Sequence, residues 1–101
     1  MAFLRALSRN ELLPGTIREF QLAGAAIAVA NVEGKFFAIN GVCLHRGGPI
    51  GEGELARQVV TCPWHGWQFD VTTGQVLTNP TIALACYPVE IRGEDVFVDV
   101  G

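Results

Sequence analysis

Short apolar and alternating segments recur along this chain, and a turn signal breaks each one: Pro14-Gly15, Glu33-Gly34, Gly47-Gly48-Pro49, Thr73-Gly74, Asn79-Pro80 and Gly93-Glu94-Asp95. Such regular punctuation predicts an all-β sandwich or barrel. Strand character falls on residues 3–7, 16–22, 25–31, 35–39, 57–61, 67–71, 75–77, 86–92 and 96–100. The clearest are Val89-Glu90-Ile91 and Val96-Phe97-Val98-Asp99-Val100, which combine β-branched and aromatic residues across a Gly-containing turn and are expected to pair as a hairpin. Asn10 to Leu13 alone reads as a helical turn, ended by Pro14.

With 101 residues, half of them apolar, the chain supports one core and is read as a single domain over 1–101. So little charge argues against disorder, because burial can offset the ordering entropy. The net charge of −3 and seven scattered basic residues exclude a nucleic-acid surface, which needs clustered Lys and Arg. The longest apolar run, Leu22 to Ala30, carries Gly24 and stops at Asn31, about half of what a bilayer span requires. No membrane partner is expected. The N-terminus lacks the pattern of a secretory signal, and three cysteines do not suggest a disulfide framework, so a reducing cytoplasm is the expected compartment.

Chemistry concentrates in two short stretches. Cys43-Leu44-His45 and Cys62-Pro63-Trp64-His65 use both histidines and two of the three cysteines. Two thiolates and two imidazoles, supplied from loops at two strand ends, suit either tetrahedral zinc or an iron-sulfur cluster with mixed ligation. In an extended segment residues i and i+2 point the same way, so Cys43 and His45 can face one metal site. Gly41, Gly47, Gly48 and Gly66 leave the neighbouring backbone conformationally free. Glu52 and Glu54 are not read as iron ligands, since a mononuclear iron site would need histidines that are already taken.

The pattern C-x-H, an interval of sixteen residues, then C-P-x-H-G resembles the Rieske iron-sulfur family, with the core of the resemblance over residues 40–75. The segment 67–74 is similar to the hairpin after the second ligand loop in Rieske-type ferredoxins, and Asn79-Pro80 to the proline-bearing loop that covers the cluster. The resemblance implies an antiparallel Rieske-type β-sandwich with a cluster-binding subdomain formed by two loops. It further implies one [2Fe-2S] cluster, with Cys43 and Cys62 on one iron and His45 and His65 on the other. Neutral imidazoles leave the oxidised centre without net charge, which places Rieske potentials at about −150 to +300 mV against about −400 mV for plant-type ferredoxins.

High-potential members carry an extra cysteine in each loop, forming a disulfide, and a serine after the His-Gly. This chain has Gly48 and Trp64 at the cysteine positions and Trp67 at the serine. Missing hydrogen bonds to the reduced cluster place its potential at the low end of the range. The potential should also fall with rising pH, because reduction tightens the imidazole protons.

By resemblance, the protein is a soluble one-electron carrier. It takes electrons from a flavin-dependent ferredoxin reductase and delivers them to a terminal ring-hydroxylating oxygenase, with no catalysis of its own. The small subunit of an assimilatory NAD(P)H nitrite reductase and a zinc-stabilised interaction module are the alternatives. Trp64 is a candidate partner contact at the loop tip, Trp67 is expected to pack inward, Arg46 reads as a solvated loop charge, and Cys86 reads as a buried, inert thiol.

Overall fold

The computed structural model of the chain describes residues 2–44, 47–64 and 66–100. Twelve strands are assigned among them: β1 (Phe3–Ser8), β2 (Thr16–Leu22), β3 (Ala25–Val32), β4 (Lys35–Asn40), β5 (Glu54–Ala56), β6 (Val59–Thr61), β7 (Gln68–Asp70), β8 (Gln75–Val76), β9 (Asn79–Ala83), β10 (Cys86–Tyr87), β11 (Val89–Arg92) and β12 (Asp95–Asp99). They form three antiparallel sheets, ordered β1-β12-β11, β10-β4-β3-β2 and β5-β6-β7-β8-β9.

The four-stranded sheet lies in the middle, and the side-chain alternation of its central strands explains why. Along β3, Ile27 and Val29 enter a core shared with Leu7, Val96 and Val98 of the three-stranded sheet. Their neighbours Ala28 and Ala30 enter a second core with Val60, Phe69 and Val76 of the five-stranded sheet. In β4, Ala38 faces the first core and Ile39 the second. A strand buried on both faces needs apolar residues at every position, so the unbroken run through Ala25–Ala30 is the mark of a central strand.

Several elements depart from the pattern along the chain. The strand expected over 57–61 is a hairpin, β5 to β6, turning at Arg57 with φ 57°. Residues 86–92 divide at Pro88 into β10, paired with β4, and β11, paired with β12. Proline cannot donate to a ladder, so the chain changes sheets there. The expected hairpin of residues 89–91 with 96–98 is present, with Val89 opposite Val98 and Ile91 opposite Val96.

Asn79-Pro80 is not a loop. It opens β9, an exposed strand at the edge of the five-stranded sheet, where a residue without an N–H is tolerated. The helical turn is a 3-10 turn over Arg9–Glu11, one residue earlier than expected, held by a hydrogen bond of 2.7 Å from Ser8 N to Glu11 Oε1. No helix among the described residues is long and apolar enough to cross a membrane.

Candidate metal centre

Two loops, alike in construction, project from the end of the second core. Gly41 N donates to Ala26 O at 2.9 Å and Ile50 N to Gly41 O at 3.0 Å, which extends the β3–β4 pairing into the first loop. Val42 bridges to Pro49, and then Cys43 N donates to Gly48 O at 2.8 Å while Gly47 N donates to Cys43 O at 3.0 Å. Cys43 therefore sits at the neck of a tight turn. The second loop continues the β6–β7 hairpin, where Thr61 faces Gln68 and Cys62 N donates to Trp67 O at 2.7 Å. Cys62 is at the neck of that turn.

Both cysteines belong to the core between the central and five-stranded sheets, only 2% and 1% exposed, alongside Ile50, Val60 and Phe69. The side chains outside them are wet: Val42, Leu44 and Trp64 are each about half exposed. Trp67 packs inward against the same core as expected, and its ring centroid lies 6.4 Å from that of Phe69.

Gly48 joins the two necks. A Cβ on that residue would stand 2.7 Å from Cys62 Sγ, 3.0 Å from Trp64 Cβ and 3.1 Å from Trp64 Cγ. The residue whose carbonyl binds the Cys43 amide thus lies directly against the Cys62 sulfur. Two dry thiols brought together at one end of a core are donors for a soft metal or an iron-sulfur cluster. His45, His65 and Arg46 lie outside the described residues.

Cys86 contradicts its expected burial. It lies on the two-residue strand β10 at the edge of the four-stranded sheet, and it is exposed. Partial burial, together with the negative charge of Asp70, holds its thiol above the ordinary value. Asp70 itself shows opposing influences. Burial acts upward, but donors outweigh it: Thr72 N at 2.9 Å and Thr72 Oγ1 at 2.6 Å on Oδ1, and Gln58 Nε2 at 2.8 Å on Oδ2. Its carboxyl is therefore held below the usual carboxylate range. This network fixes the turn after β7, and sequence reasoning missed it, although the D-x-T spacing of Asp70 and Thr72 could have marked the turn.

Comparison with known proteins agrees with this geometry. The ferredoxin CarAc of Metapseudomonas resinovorans is 36% identical over 98 residues, covering 95% of this chain and 92% of its own. The ferredoxin component of biphenyl 2,3-dioxygenase from Rhodococcus jostii is 36% identical over 101 residues, with 99% and 94% covered. Among solved structures, a chain in the complex of reduced oxygenase and oxidized ferredoxin in carbazole 1,9a-dioxygenase superposes with a TM-score of 0.88 at 34% identity, covering 95% of this chain and 91% of that one. The Rieske [2Fe-2S] domain matches residues 3–88, both loops included, and the chain belongs to that family.

Proposed function

We propose that Cys43 and Cys62 bind one iron of a [2Fe-2S] cluster, that His45 and His65 bind the other, and that the chain is a one-electron carrier for a ring-hydroxylating oxygenase. The observation that carries this reading is the meeting of two buried cysteines from separate loops across Gly48. The cluster supplies a single-electron redox centre at neutral charge. The protein supplies the rest. The Cys43 and Cys62 amides are fixed by Gly48 O and Trp67 O, so the sulfurs are aimed before any metal arrives. Leu44 and Trp64, each about half exposed and close in sequence to the buried cysteines, offer apolar surface to a partner.

A family member between a flavin-dependent reductase and a terminal oxygenase needs no catalytic site, and this reading assigns none. The relatives named as ferredoxin components, and the solved oxygenase–ferredoxin complex, support the oxygenase as recipient over a nitrite reductase or a zinc module. The cluster-binding region is about 40–75, within a single domain, and the compartment is the cytoplasm. Replacing His65 by Cys tests the ligand assignment. The anionic thiolate should lower the potential toward the plant-type ferredoxin value of about −400 mV and change the spectrum of the reduced protein. An unchanged spectrum and potential would remove His65 from the ligand set.

A further inference from the structure

Each ligand loop closes on itself, the first through Cys43 and Gly48 and the second through Cys62 and Trp67. Such closures shape each loop but do not fix the distance between them. At Gly48 the two loops touch. Its carbonyl accepts the Cys43 amide, and its α-carbon faces Cys62 Sγ and the Cβ and Cγ of Trp64 so closely that no side chain fits between. Trp64 is 49% exposed, whereas Cys62, two residues earlier, is 1% exposed. The indole therefore roofs the seam from the solvent side.

We propose that Trp64 is a positioning residue, and that its contact with Gly48 is a noncovalent latch holding the two ligand loops at the spacing the cluster requires. The latch rests on the ligand assignment above and adds to it. Gly48 touches both thiol-bearing turns at once, so a change at Trp64 alters the relation between Cys43 and Cys62 without replacing either ligand, whereas a Cβ at Gly48 also presses on Cys62 Sγ itself. Glycine at 48 and a broad, flat side chain at 64 are complementary: the absent Cβ makes the seat, and the ring fills it. Loosening the seat should speed loss of the cluster, while obstructing it should hinder assembly. Neighbours that orient metal ligands typically alter metal affinity by about 10–100-fold.

The test uses the cluster-loaded protein with Trp64→Ala, Trp64→Phe and Gly48→Ala. Three quantities are measured: the rate at which an iron chelator bleaches the visible absorbance, the iron and acid-labile sulfide content, and the paramagnetic resonance spectrum of the reduced form. Thermal unfolding after cluster removal reports the fold alone. Trp64→Ala should bleach at least about tenfold faster with a broadened or shifted resonance, and Trp64→Phe should restore most of the difference. Gly48→Ala should purify with less iron and sulfide even when its cluster-free melting matches the unsubstituted chain.

Bleaching of Trp64→Ala within twofold of the unsubstituted protein, with an identical resonance, would overturn the latch. So would a Gly48→Ala protein with full cluster content. Absence of acid-labile sulfide from the unsubstituted protein after reconstitution would overturn the ligand assignment itself, and the latch with it.

Discussion

Gly53→Ala is a sharp test of how the five-stranded sheet supports the second ligand loop. Gly53 has φ −80° and ψ −174°, a conformation open to any residue, so no dihedral strain accompanies the substitution. The cost is steric. A Cβ there falls on the carbonyl oxygen of Thr61, inside van der Waals contact, and 3.1 Å from the carbonyl oxygen of Ile50. Relief is difficult, because Gly53 N is tied to Ile50 O at 2.9 Å and Glu54 is paired with Thr61.

Backbone must therefore move against backbone, at roughly 1–3 kcal/mol for an overpacked site. A gain of about 0.4–1 kcal/mol from stiffening the unfolded chain offsets part of this. A net loss of about 1–2 kcal/mol corresponds to a fall in Tm of about 5–15 °C for a domain of this size. Thr61 immediately precedes Cys62, so the iron content should drop along with the Tm. Thermal scans by circular dichroism at a fixed rate, with iron assayed on the same preparations, measure both. Gly15→Ala is the control: φ is +83° with nothing within 4 Å of the new Cβ, so it should cost about 1–2 kcal/mol of stability and leave the iron unchanged. A Gly53→Ala protein with the Tm and iron content of the unsubstituted chain would refute the reasoning.

Phe69→Ala, at a fully buried position opposite Val60 and Val76, should cost about 3–5 kcal/mol in denaturant unfolding, and a loss below 1 kcal/mol would contradict its place in the core. The depressed pKa of Asp70 means that its ionised form stabilises the fold above the ordinary carboxylate range, and that this contribution fades as pH falls through the folded-state value. Asp70→Asn should therefore melt below the unsubstituted protein above about pH 5, with the gap closing toward about pH 2; a gap constant with pH would rule this out. In the cluster-loaded protein Cys86 should be the thiol that alkylating reagents reach, slowly at neutral pH and faster as pH rises, because burial and Asp70 hold its pKa up. Peptide mapping that finds Cys62 labelled first would contradict the burial of the site.

Local rules were enough for several of the strands and for singling out the candidate ligands. Turn residues and alternating side chains marked β2, β3, β4 and the β11–β12 hairpin, because strand periodicity and Gly-containing turns are properties of neighbouring residues. Cys43, His45, Cys62 and His65 stood out because thiol and imidazole chemistry is written in residue type and spacing alone. What depends on contacts between distant segments was not available in that way. The run Ala25–Ala30 fits a buried strand in any sheet, and only packing on both faces makes it the central layer. Cys86 lies in an apolar stretch, yet its place on a strand at the edge of the four-stranded sheet leaves it exposed. Gly48 reads in sequence as a turn glycine standing, with Trp64, where high-potential members have their paired cysteines. That its backbone seats Cys62 Sγ and the Trp64 side chain from the other loop is a close approach that only the tertiary fold creates.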